Sequence, residues 1–147
     1  MKKALLSALA GLVLLSACKK DDESVPTMQV SGTLSGSNEV PAVTASGSGS
    51  VTGTYTPSTK VLNYTITYTG LTGAPTGAHL HYGNPKHTTA APTVPFSGIP
   101  TTTSGSFGGT VTLNAMQADS LMAGRIYANI HTSANSGGEL RANLTVK

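Results

Sequence analysis

The chain has 147 residues, enough for one domain, with 10% charged and 5% aromatic residues and a formal net charge of +3. Lys2 and Lys3 lie in a stretch that reads as a leader, and without them seven of the nine basic side chains face six acidic ones. That near balance, with no basic patch interleaved with aromatics, excludes nucleic acid as an expected partner. A single cysteine, Cys18, leaves the domain to be held by packing alone.

Residues 1–17 read as a secretory leader: a basic start, then a small-and-apolar run too short to span a bilayer. The run ends in Leu15-Ser16-Ala17-Cys18, which resembles the lipobox of bacterial lipoproteins. The resemblance implies cleavage before Cys18 and a lipid on its thiol, which accounts for a lone cysteine in an exported protein. The alternative is an ordinary secreted chain with a free thiol. Residues 18–27, containing "KKDDESVPT", form a charged tether that can bury almost nothing. The expected location is the bacterial cell envelope, lipid-anchored at the outer membrane. The acidic run after Cys18 resembles surface-export signals of Bacteroidetes lipoproteins.

Residues 28–147 form the expected domain. "MQVSGTLSG" opens it as a strand, and residues 38–47 are irregular because Pro41 disfavours a central strand. "SGSVTGTYT" and "KVLNYTITYTG" alternate with period two around the turn "TPSTK", which predicts a hairpin. In the second of these, Leu62, Tyr64, Ile66 and Tyr68 share the core face. "GAHLHYG" is a further strand, followed at residues 84–100 by an excursion with four prolines and at most an edge strand near residues 93–96. "SFGGTVTLN" gives a strand, and "NAMQADSLMAG" a helical turn or two whose Leu121 and Met122 cap the core. "RIYANIHT" and "ELRANLTVK" make the last hairpin across the loop "SANSGG". Seven or eight short strands between turn signals predict an all-β domain, a sandwich or flattened barrel.

The chemistry-bearing residues concentrate on one face. If Leu80 points inward, His79 and His81 point outward together. If Ile126 and Ile130 point inward, His131 points outward with Tyr127 and Asn129. On the last strand, Glu139, Arg141 and Asn143 are then outward too, and a tight register sets Glu139 near His131. Three imidazoles from two strands are a Zn or Cu donor set, with Glu139 as a fourth ligand or an orienting partner. The plainer alternative is that these histidines donate to loop carbonyls and Glu139 pairs with Arg141 or caps the loop. His87, in the excursion, is the weakest candidate. No nucleophile stands beside a poised base and no phosphate loop precedes a helix, so the chain is expected not to be an enzyme.

The chain resembles the CHRD domain family, named after chordin, in a bacterial lipoprotein context. The resemblance rests on "LSGSNEVPAV", "LNYTITYTGLTG", "GAHLHYG" and "GRIYANIHTSANSGGELRANL". Two departures are Ser136, where the family usually has proline, and Ala142-Asn143, where it often has Gly-Gln. The resemblance implies an immunoglobulin-like or superoxide-dismutase-like Greek-key β-sandwich, and brings no established chemistry. "GLTGAPTGAHLHYG" is also similar to the copper-binding strand of Cu/Zn superoxide dismutases, but the other dismutase ligands are missing. The leading expectation is therefore a non-enzymatic envelope module without a cofactor, binding a protein or glycan through a surface that includes Glu39, Tyr127, Asn129 and Arg141. The alternative is a Cu- or Zn-binding or redox protein using His79, His81 and His131.

Overall fold

The fold was obtained as a computed structural model and is described for residues 25–89 and 91–147. The expected leader, Cys18 and all of the expected tether but its last three residues lie outside the described residues. Among the described residues nine strands run in chain order: β1 Met28–Ser35, β2 Ser48–Thr56, β3 Val61–Thr69, β4 Pro75–Tyr82, β5 Pro92–Pro95, β6 Gly105–Thr112, β7 Ile126–Thr132, β8 Leu140–Asn143 and β9 Thr145–Val146. One helix among the described residues, α1 Ala115–Met122, precedes β7, and a 3-10 turn, Gly36–Asn38, follows β1.

All the strands join one antiparallel sheet in the order β5-β4-β7-β8-β1-β2-β3-β6, with β9 on β1. The sheet curls until its ends meet across the core. Phe96, just past β5 at one edge, packs 4.6 Å from Tyr64 and 5.9 Å from Phe107 of the opposite edge region, centroid to centroid. The result is an all-β half-barrel consistent with a β-sandwich.

The alternation in the sequence decides which side chains go inside. On β3, Leu62, Ile66 and Tyr68 are buried while Asn63, Thr65, Thr67 and Thr69 face water. Val51 and Tyr55 of β2 match them from across the hairpin, in the register Val51↔Ile66 and Tyr55↔Leu62. A buried leucine, isoleucine or phenylalanine stabilises the fold by about 1.5–3 kcal/mol, and this core contains Leu34, Leu80, Phe107, Ile126, Ile130 and Leu140 among others.

The helix starts with a reciprocal cap: Asn114 accepts from the Gln117 backbone and the Gln117 side chain accepts from the Asn114 backbone. It stops at Gly124, which adopts φ 65°. Ala118 and Leu121 are buried, so the helix closes the core through them. Met122 does not share this role as the sequence suggested; it is 46% exposed. Eight residues make little more than two turns, and Met122 falls on the outer side.

Candidate metal centre

The pairing of β4 with β7 supplies the contact that periodicity could not show. His79 lies opposite Asn129, His81 opposite Tyr127, and His131 opposite Gly77. His131 is thus the diagonal neighbour of His79 on one sheet face. Gly77 makes room, because a Cβ there would stand 3.2 Å from His79 Cε1. One donor atom from each of His79, His81 and His131 lies within 4.8 Å of the others.

Two backbone carbonyls set the tautomers. His81 Nδ1 is 3.0 Å from the Thr89 carbonyl oxygen, and His131 Nδ1 is 2.9 Å from that of Ser136. A carbonyl only accepts, so both Nδ1 atoms carry the proton and both Nε2 atoms keep a lone pair. His131 Nε2 lies 3.2 Å from His79 Nδ1, which donates to it. Moving the His79 proton to its own Nε2 frees Nδ1. Three lone pairs then converge: His79 Nδ1, His81 Nε2 and His131 Nε2. Donors at ~2.0–2.1 Å from a tetrahedral Zn stand ~3.3 Å apart, so closing this set takes shifts on the order of 1 Å. The donor set suits Cu or Zn, and the two carbonyls orient the rings from behind.

The electrostatics favour the neutral, ligating form. Burial pushes the His79 and His81 pKa values below the usual 6.5, and the neighbouring histidines push in the same direction. His81 Nε2 is buried with no hydrogen-bond partner. A buried polar atom without a partner costs roughly 1–3 kcal/mol, and a bound ion would remove that cost.

His79 and His131 stay half-buried, but the residues beside them on this face are covered, unlike the expected contact surface. Tyr127 is 1% exposed, Asn129 2% and Arg141 0%, and Glu39 is 8% exposed. The segments that follow β1 and β4 cover them. Arg141 Nη2 donates to the carbonyls of Asn84 at 2.6 Å and His87 at 3.0 Å, pinning the turn after β4. The Tyr127 hydroxyl bonds to Thr88 and to the Thr89 carbonyl. Asn38 ties the segment after β1 to the Arg141 carbonyl at 3.1 Å. The Tyr127 ring lies in a stack, with His81 parallel to it at 5.0 Å and the Arg141 guanidinium 3.6 Å from its centroid. Since β4 and β8 flank β7, these two neighbours take opposite faces of the ring. Gly83 is required here, because a Cβ would stand 2.8 Å from the Tyr127 ring.

Glu139 is a second correction. The β7–β8 ladder ends at Ile130↔Leu140, and the Glu139 carboxylate turns away from His131. It accepts four hydrogen bonds: from Thr72 N at 2.8 Å, Thr72 Oγ1 at 2.5 Å, Thr132 Oγ1 at 2.6 Å and Asn135 Nδ2 at 3.2 Å. It is a loop pin and supplies no ligand atom to the histidine set. His87 is likewise apart, bonded to Asn84 on the exposed turn. No residue type marks the Thr89 and Ser136 carbonyls, which orient the rings without any side-chain signature. Thr72, which holds Glu139, carried no periodic signal either.

A cavity of about 420 Å³ opens beside the histidines, lined by Glu39, His81, Thr89, Tyr127, His131 and Ser136 among others. Burial pushes the Glu39 pKa up to about 7, against the lowering pull of Arg141. A carboxyl with a raised folded pKa favours the fold below its unfolded value and loses that contribution as pH rises through the folded one. Glu39→Gln is therefore expected to leave the stability of the metal-free protein unchanged near pH 4 and to raise it at pH 8. Denaturant melts at the two pH values check this, and an equal effect at both would contradict it.

A family model described as the CHRD domain matches residues 30–144. No curated protein matches the chain, and no solved structure does.

Proposed function

The chain belongs to the CHRD domain family, and we propose that this member binds one copper or zinc ion through His79, His81 and His131. The observation that carries the reading is the convergence of one imidazole nitrogen from each of the three histidines, two of the rings oriented by carbonyls behind them. When bound, the ion supplies Lewis acidity and, if copper, a redox couple. The chain's part is to hold the imidazoles neutral and to keep the rings from turning. The expected contact surface for a protein or glycan loses its motive, since Tyr127, Asn129 and Arg141 are buried.

The test is metal content. The purified untagged protein, dialysed against trace copper and zinc, is expected to keep about one equivalent of one of them by elemental analysis; less than about 0.1 equivalent would sink the reading.

The proposal extends to fold and location. The return of β8 to lie beside β1 supports an immunoglobulin- or dismutase-like Greek key. The lipobox-like residues 15–18 support a lipid anchor at Cys18 on the bacterial outer membrane. Cys18→Ser is expected to abolish lipid labelling and move the protein from the membrane fraction to the soluble one. Persistence in the membrane fraction would show that the anchor lies elsewhere.

A further inference from the structure

The histidine set explains one of the four unpartnered buried atoms on this face and leaves Glu39 Oε1, Asn129 Oδ1 and Arg141 Nη1 unexplained. Among the described residues, the buried side-chain atoms without a partner are Glu39 Oε1, His81 Nε2, Asn129 Oδ1 and Arg141 Nη1. A metal ion accounts for His81 Nε2. It does not account for Glu39, which is not one of the converging donors. Yet Glu39 is carefully accommodated. Gly138, at φ 131°, is the position where any Cβ would collide with Glu39 Oε1 and Asn129 Nδ2. The carboxyl lines the same cavity as His81 and His131, where its only competing pull is the Coulombic one from Arg141. Burying a carboxyl without a hydrogen-bond partner is costly, and such groups are retained where a ligand satisfies them.

Three protein donors leave a copper or zinc ion with an exchangeable position. We propose that this position opens into the cavity lined by Glu39, and that it takes a small monoanion, which accepts a hydrogen bond from the Glu39 carboxyl while bound to the ion. This rests on the metal reading and adds the ligand class to it. The chemistry is consistent on each side. An ion and the Arg141 guanidinium make the region positive, which suits an anion. Burial favours the protonated Glu39 carboxyl, the form that donates, and the cavity places it on the same wall as His81 and His131. A cavity of about 420 Å³ admits a ligand of a few atoms or the carboxylate end of a longer one.

The probe is azide, added to the copper(II)-loaded untagged protein at about pH 6. Copper content is measured first for every variant. Wild type is expected to show a saturable azide-to-copper charge-transfer absorption and a changed electron paramagnetic resonance spectrum. Glu39→Ala should weaken azide about tenfold, the loss of one hydrogen bond to a charged acceptor, with copper content unchanged. Glu39→Gln keeps a donor and should stay within about threefold of wild type. If Glu39→Ala does not fold, Glu39→Leu, of similar volume and without a donor, makes the same comparison. Copper held at one equivalent without an azide response, or azide bound equally by the donorless variant, overturns the exchangeable-site proposal alone. Failure to hold copper overturns it together with the metal reading.

Discussion

Replacing His81 with alanine is expected to lower copper or zinc affinity by more than about a hundredfold, since removing even an outer partner of a metal ligand costs 10–100-fold. His81 is the member of the set whose state is most constrained. Its Nδ1 proton is committed to the Thr89 carbonyl, its ring lies flat on Tyr127, and its Nε2 is buried without a partner. Nothing in the metal-free fold uses that lone pair. His79→Ala and His131→Ala should behave similarly, whereas His87→Ala, on the exposed turn, should not change metal content. Competition titrations against a chelator of known affinity measure the losses. The pH dependence has a fixed sign. Burial lowers the His79 and His81 pKa values below 6.5, so both rings stay neutral into mild acid. Metal should be released as pH falls through those lowered values. The contribution of these two rings to the stability of the metal-free fold should fall as pH drops below 6.5, because the unfolded chain takes up the protons first.

Glu139→Ala is expected to cost the fold on the order of 3–5 kcal/mol, because each buried donor left without an acceptor costs about 1–3 kcal/mol. The carboxylate is fully buried and gathers the segment after β3 to the loop after β7. Removing it strands the Thr72 backbone N–H and three side-chain donors at once. Burial alone would raise its pKa, but the hydrogen bonds from Thr132, Thr72 and Asn135 outweigh this and lower it. A carboxyl with a lowered folded pKa contributes its stability above the unfolded value of 4.5 and loses it as pH falls through the folded one. Wild type should therefore lose stability in acid more steeply than Glu139→Ala. Urea melts across that range read both effects. Glu139→Ala protein that still folds should keep one equivalent of metal; loss of metal from a folded variant would restore Glu139 as a ligand.

The two residues show what alternation in a sequence can and cannot reveal. Period-two patterning placed Leu62, Ile66 and Tyr68 inside and set His79, His81 and His131 on one face, because a pleated strand allows no other arrangement. It could not show that β4 lies beside β7, since strand neighbours depend on chain connections of no fixed pattern. It also took the other face for solvent-exposed. Residues 36–45 and 84–89 cover that face, and they carry turns and prolines rather than any period. Their hold on the sheet runs through backbone carbonyls, as at Asn84 and His87 under Arg141. A carbonyl is present at every residue, so the sequence does not mark the ones that matter. Glu139 was misread for a related reason. The expected register set it near His131, but the ladder stops at Ile130↔Leu140, and two of its donors come from Thr72, 67 positions away.

The central claim is that three imidazoles share one ion. X-ray absorption at the copper or zinc edge of the metal-loaded protein tests it most directly. Three imidazole nitrogens at ~2.0–2.1 Å are expected, together with one exchangeable nitrogen or oxygen ligand. A protein that retains no ion, or an ion whose spectrum is unchanged when His79, His81 and His131 are all alanine, would contradict it.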